Sequence, residues 1–173
     1  MRKLVGMVSG ETITLAVKEN QIACRIGETI MVSRLIDGNF PNYTQVIPKK
    51  HDIAITLPKE PFMAATRRVA LLAITLENEK GTPNAVKYVF KKNKVSIFAS
   101  SQGIGEADDE IEIDYAGPEV EMAYNPGFVT DVLRNISEDQ FVLELTTPLN
   151  PCVFRPAADA SYICVIMPIR TAS

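Results

Sequence analysis

The sequence predicts an α+β fold in which a helix followed by three strands recurs about three times and builds antiparallel sheets. Three observations carry this reading. First, Ile13-Thr14-Leu15-Ala16-Val17-Lys18-Glu19-Asn20-Gln21-Ile22-Ala23-Cys24 lines up with Val86-Lys87-Tyr88-Val89-Phe90-Lys91-Lys92-Asn93-Lys94-Val95-Ser96-Ile97. Both alternate apolar and polar residues, turn at a Lys-x-Asn-x segment and alternate again, which is the pattern of a β-hairpin with Asn in a left-handed turn position. Second, a looser third copy runs through Phe141-Val142-Leu143-Glu144-Leu145, a turn with Pro148 and Asn150, and Cys152-Val153-Phe154. Third, each hairpin has a strand-like run after it and a helical segment before it.

In chain order, residues 2–8 fit the tail of a helix, the first hairpin follows, and residues 29–36 form its third strand. Asp37-Gly38-Asn39-Phe40-Pro41-Asn42-Tyr43 is a linker, with turn chemistry in Asp-Gly and an extended bias before Pro41. Its two aromatic residues predict packing against both neighbours. Residues 52–57 read as a short strand. Residues 61–73 place Phe62, Ala65, Val69 and Leu72 on one helical face. After the second hairpin come strands at 109–113 and 120–124. Asn125-Pro126 then reads as an N-cap with proline at N1, opening a helix whose apolar stripe is Phe128, Val129, Val132, Leu133 and Ile136. The third hairpin leads to a last strand at 162–167. Two whole units make one closed domain over 50–173. Residues 1–36 hold a single unit whose apolar edge is expected to be exposed, which points to a piece of a longer repeat protein.

Composition narrows the function. The chain has 173 residues, room for one domain plus part of another. No apolar run approaches membrane-spanning length, and Met1-Arg2-Lys3-Leu4-Val5-Gly6 has no secretory h-region, so the expected location is the cytoplasm. The formal net charge of −3 argues against a tight grip on DNA, though not against a loose one with charge segregated by face. Cys24, Cys152 and Cys164 are widely spaced, lie in strand-like runs and read as buried hydrophobes rather than ligands or disulfide partners.

Catalytic signatures are missing: no HExxH, Walker A, GxSxG or GxGxxG pattern occurs. His51, the single histidine, sits beside Lys49 and Lys50 and reads as a solvated surface residue. The acidic run Glu106, Asp108, Asp109, Glu110 and Glu112 alternates faces if it is a strand, and reads as a solvated edge that resists aggregation. No catalytic residue, cofactor or metal is expected. The competing reading is an enzyme whose site joins the acidic strand to His51.

Four segments in series resemble bacterial DNA sliding clamps, the DNA polymerase III beta subunits. Leu35-Ile36-Asp37-Gly38-Asn39-Phe40-Pro41-Asn42-Tyr43 with Val46-Ile47-Pro48 is similar to the linker between the second and third clamp domains. Arg68-Val69-Ala70-Leu71-Leu72 and Asn125-Pro126-Gly127-Phe128-Val129 resemble its third-domain helices. Tyr162-Ile163-Cys164-Val165-Ile166-Met167-Pro168-Ile169-Arg170 resembles its C-terminus. The resemblance covers nearly the whole chain and implies a DNA-clamp fold: residues 1–49 the C-terminal half of domain two plus linker, and 50–173 domain three. It implies a ring-forming homodimer closed head to tail, with helices lining the hole around duplex DNA.

The resemblance also implies a hydrophobic pocket for linear peptides of polymerase, clamp loader and repair proteins. The matching positions are Pro41, Gln45, Val46, Asn125, Phe128, Leu149, Pro151, Val165, Ile166, Met167, Pro168, Ile169 and Arg170. Gln45 stands where many clamps carry Arg, and Phe128 where many carry Tyr. Met167 and Pro168 follow the last strand and are expected at the surface, where methionine suits varied peptides. Without the resemblance, Phe128 and alternate residues of 165–167 read as core. Leu71 and Leu72 match the ring-closing interface; on a helix they point about 100° apart. Arg2, Lys3, Arg67, Arg68 and Arg134 are implied to face DNA, by screened attraction without base readout. A module that binds such peptides without encircling DNA is the alternative within this family.

Overall fold

The computed structural model describes residues 12–74, 85–101, 105–159 and 161–170. The helix tail expected at 2–8, with Arg2 and Lys3, lies outside them. The chain forms two compact units, Met1–Asn42 and Tyr43–Ser173. The division falls before the expected 49/50 boundary because the linker's second half folds with the larger unit. A 3-10 turn over Tyr43–Gln45 has the Val46 and Ile47 amides donating to the Tyr43 carbonyl at 3.0 and 3.3 Å.

The smaller unit contains an antiparallel sheet ordered β1 (Thr14–Lys18), β2 (Gln21–Ile26), β3 (Thr29–Arg34). Cys24 and Ile26 are buried there, while Leu15, Val17, Ile30 and Val32 are exposed. The last strand stops at Arg34 rather than 36, and Ile36 is exposed. Asn20 does not take the expected left-handed conformation. Among the described residues only Asn93 does so without being glycine, at φ 61°, and Gly27 (φ 57°) supplies that conformation between β2 and β3. The linker aromatics Phe40 and Tyr43 are largely exposed.

The larger unit runs β4 (Ile53–Pro58), α1 (Lys59–Ile74), β5 (Val86–Lys91), β6 (Lys94–Ser101), β7 (Gly105–Glu112), then β8 (Val120–Tyr124), α2 (Pro126–Arg134), β9 (Gln140–Leu145), β10 (Cys152–Pro156) and β11 (Cys164–Ile166). The same strand-helix-strand-strand-strand order thus occurs twice. The halves exchange their first strands: the sheets are ordered β7-β6-β5-β8 and β11-β10-β9-β4. Tyr88 and Phe90 of β5 lie opposite Met122 and Val120 of β8, and Ile55 and Leu57 of β4 opposite Leu143 and Phe141 of β9.

Period-two burial of Val86, Tyr88 and Phe90, and of Val95, Ile97 and Ala99, turns one face of β5 and β6 inward. Helix α1 covers that sheet with Phe62, Ala65, Val69, Ala70 and Ala73 and also packs on α2; Leu72 is only half-buried. Pro61 falls in its first turn, where no intrahelical N–H bond is lost. Helix α2 starts as expected, with the Asn125 side chain accepting from the Gly127 amide at 2.9 Å and proline at N1. Val129, Val132, Leu133 and Ile136 are buried, but Phe128 leaves the stripe and is 61% exposed.

Five aromatic rings close a cycle through the core. Phe62 stacks on Tyr88 (5.3 Å), Tyr88 meets Tyr124 (5.9 Å), Tyr124 meets Phe154 (5.8 Å), Phe154 stacks on Phe141 (6.0 Å), and Phe141 meets Phe62 edge-on (5.4 Å). The cycle takes rings from both halves and both sheets. The Tyr88 hydroxyl donates to Thr66 at 3.3 Å and that of Tyr124 to the Met122 sulfur at 3.1 Å.

Burial holds both phenols well above their ordinary pKa of 10.0. The unfolded chain therefore loses these protons first as pH rises. Their contribution is fully present below pH 10 and is lost progressively above it, at about 1.4 kcal/mol per pH unit for each tyrosine. The urea midpoint is expected to fall between pH 10 and 11, with a shallower fall in Tyr88→Phe. An identical slope in that variant would show that Tyr88 titrates normally in the folded state.

Strand β7 is the acidic run, and it is a sheet edge as expected. Glu106, Asp108, Glu110 and Glu112 share its exposed face, while Asp109 turns the other way and pairs with Arg68 of α1 at 2.6 Å. Cys24 and Cys152 are buried and Cys164 half-buried, all as free thiols.

Candidate functional site

The site begins where β11 ends. Ile166 is 4% exposed and belongs to the core, pairing across the sheet with Cys152. The chain then leaves the strand. Met167 is 57% exposed, Pro168 and Ile169 are half-buried and Arg170 is exposed. The Ile169 amide donates to the Ala123 carbonyl at 2.7 Å. That bond ties the tail from the edge strand of one sheet to the edge strand, β8, of the other.

A cleft of about 300 Å³ lies beside this crossing, lined by Glu121, Met122, Ala123, Pro148, Leu149, Ile169 and Arg170. Leu149, on the β9–β10 loop, is 59% exposed. The loop is held by the Asn150 amide donating to the Thr147 carbonyl at 3.1 Å. The apolar floor is rigid because Met122 is buried, with the Tyr124 hydroxyl and the Cys152 thiol on its sulfur at 3.1 and 3.7 Å. Burial pushes the Cys152 thiol up, so it stays neutral. The cleft's charged lining residues are Glu121, which pairs with Lys87 at 2.7 Å, and Arg170. Such a cleft can hold apolar side chains of an extended ligand.

Of the residues expected in a docking site, Leu149, Ile169 and Arg170 line this cleft together. Met167 and Pro168 belong to the same tail. Pro151 and Val165 are half-buried in the adjoining hairpin, and Ile166 contributes position rather than a contact surface. Asn125 is spent on capping α2 and so presents Phe128, which is exposed one turn later. Gln45 and Val46 lie at the 3-10 turn, Val46 being 49% exposed. Pro41 is exposed in the smaller unit. Sequence reasoning missed Glu121, Met122, Ala123 and Pro148. Alternation marks β8 as a core strand, and nothing in it shows that a tail about 45 residues later bonds to its edge.

The other expected residues fall elsewhere. On α1, Leu71 is 70% exposed and Leu72 half-buried. The Arg67 guanidinium donates to the Met63 sulfur at 3.2 Å, Arg68 is paired with Asp109, and Arg134 with Asp131 at 2.9 Å. The His51 imidazole Nδ1 is 3.6 Å from the Glu144 carboxylate, whose strand lies in the sheet that lacks the acidic strand β7. That arrangement does not join His51 to β7. No cluster of metal-ligating side chains occurs among the described residues.

Two exchanged-strand sheets, covered by one helix from each half, define a clamp-type domain. Residues 44–170 match the family model for the DNA polymerase III beta subunit, C-terminal domain. The chain belongs to that family. It is 30% identical over 162 residues to the beta sliding clamp of Caulobacter vibrioides and 27% identical to that of Staphylococcus aureus. Those matches cover 94% and 93% of this chain but 42% of each relative, so the chain spans about two fifths of their length. A crystal structure of the C. crescentus beta sliding clamp superposes with a TM-score of 0.82 at 29% identity, over 98% of this chain and 43% of the other. The clamp from Bartonella birtlesii, bound to griselimycin, superposes at 0.81 and 24% identity, over 98% and 44%, and shows the same fold.

Proposed function

We propose that this chain is a peptide-docking part of a DNA polymerase processivity clamp and not an enzyme. Its ligands are short linear motifs of DNA polymerase III, the clamp loader and repair proteins in the cytoplasm. The observation that carries this reading is the cleft between the 167–170 tail, the β9–β10 loop and β8, with exposed Met167 and Leu149 beside a buried apolar floor. Apolar anchors of an extended peptide fit there, with Arg170 and Glu121 selecting at the rim. Within a complete homodimeric ring, closed through surfaces that include Leu71 and Leu72, Arg67, Arg68 and Arg134 would meet duplex DNA electrostatically. A peptide-docking module that does not encircle DNA is the second reading. The net charge of −3 and the ion pairs of Arg68 and Arg134 favour it.

The test is fluorescence anisotropy with a labelled clamp-binding peptide. Saturable binding is expected, weakened about fivefold to tenfold in Met167→Ala, as for an anchor worth about 1 kcal/mol. A folded chain that binds no peptide, or binds it equally well without the Met167 side chain, would overturn this site.

A further inference from the structure

Met167 brings to the proposed docking site a chemistry that apolar contact with a peptide does not use. A methionine sulfur is oxidised by peroxides without first losing a proton, whereas a cysteine reacts as its thiolate. Four methionines fall among the described residues, in different surroundings. Met122 is buried, and its sulfur accepts from the Tyr124 hydroxyl and the Cys152 thiol. Met63 is buried, with the Arg67 guanidinium donating to its sulfur at 3.2 Å. Met31, on β3, is half-buried. Met167 alone of the four is exposed, at 57%, just past the last strand. The thiols compete poorly for an oxidant. Cys24 and Cys152 are buried and Cys164 half-buried, and burial pushes the Cys152 and Cys164 thiols up. The sulfur most open to oxidation is therefore the one proposed to anchor the peptide.

We propose that Met167 is a redox-controlled anchor: a hydroperoxide converts its thioether to the sulfoxide, and the oxidised tail releases docked peptide. This rests on the peptide-docking reading above, since a position that a linear peptide reaches is reached by a small peroxide. The thioether lone pair attacks one peroxide oxygen, a sulfur–oxygen bond forms and the oxygen–oxygen bond breaks. With hydrogen peroxide, the displaced hydroxide takes the proton carried by the transferred oxygen and leaves as water. Sulfur gives up two electrons and the peroxide takes them. The product carries a polar S=O group on a formerly apolar side chain. Covering that oxygen with an apolar peptide anchor removes it from water without a donor in return. Methionine sulfoxide reductases regenerate the thioether, so the change is reversible. Docked peptide covers the sulfur in turn, so docking protects Met167 from oxidation.

The test treats the whole chain with a limiting dose of hydrogen peroxide. Peptide mass spectrometry maps the oxidised positions, and anisotropy with the labelled clamp-binding peptide measures affinity before and after. Met167 is expected to gain one oxygen before Met31, Met63 and Met122 do, with an unchanged circular dichroism spectrum, and to gain it more slowly when the peptide is bound. Affinity should fall at least about fivefold, as for truncation of an anchor. It should return after treatment with methionine sulfoxide reductases and a dithiol reductant. Met167→Leu, whatever its starting affinity, should keep that affinity through the same peroxide treatment. Met63 or Met122 oxidising as fast as Met167 overturns the proposal, as does a Met167→Leu chain that loses affinity as the wild type does. An untreated chain that binds no peptide overturns the docking reading and this proposal together. A chain that binds before treatment and equally well after full conversion of Met167 overturns this proposal alone.

Discussion

Truncating Phe62 to alanine is expected to destabilise the larger unit by about 3–5 kcal/mol, a large share of a domain's total stability. Phe62 is 2% exposed and holds two contacts of the five-ring cycle, stacking on Tyr88 and meeting Phe141 edge-on. Alanine would lose the transfer energy of the ring. It would also leave a cavity between α1 and both sheets, where neighbours already locked in the cycle have little freedom to collapse. Urea denaturation should show a lower midpoint at an unchanged slope. Phe128→Ala is the control, since that ring is 61% exposed, and its loss should change stability by less than about 0.5 kcal/mol. A loss below about 1 kcal/mol for Phe62→Ala would mean that the cycle does not hold the halves together.

Replacing Glu144 by glutamine is expected to cost about 2 kcal/mol. One Glu144 oxygen accepts from Arg155 Nε at 2.9 Å and from a terminal guanidinium nitrogen at 2.7 Å. The two side chains are 11% and 25% exposed. Glutamine retains an acceptor but removes the charge, leaving the guanidinium partly desolvated without a counterion. Partial solvent access keeps the cost below that of a fully buried pair. The exposed pairs Lys94–Glu110 and Lys87–Glu121 should contribute only a few tenths of a kcal/mol. The double variant Glu144→Leu with Arg155→Met should regain much of the loss, because no unpaired charge is then left. Urea midpoints of the single and double variants measure this. A double variant less stable than Glu144→Gln would show that the ion pair itself, and not the stranded charge, carries the stability.

Several features were legible before any coordinates. The Asn125 cap and Pro126 at N1 need only local geometry, and the structure reproduces both. The period-two patterns of β5, β6 and β9 specify strands because one face of each sheet is buried. The acidic run was readable as an edge because charge on a strand is compatible with solvent and not with a central position. Phe128 shows where such reasoning stops. It continues the apolar stripe of α2, yet it is exposed, because a helix's angular pattern does not state how wide a face its neighbours cover. The proposed docking cleft was half legible: the residues of the tail and of the β9–β10 loop were named through family resemblance, whereas Glu121, Met122, Ala123 and Pro148 were not.

By itself the sequence determined the unit of this protein: its helix-and-three-strand repeat, its strand faces, its caps and its lack of catalytic motifs. These follow from interactions within a few residues or from periodicity, which a linear string records directly. Tertiary structure alone decided the exchange of β4 and β8 between the halves, the closure of the five-ring cycle and the pairing of Arg68 with Asp109. It also decided the bond from Ile169 to Ala123 that shapes the cleft. Each of these joins groups far apart in the chain, and their partners are selected by packing and by satisfaction of backbone and charge in three dimensions, which no local pattern encodes.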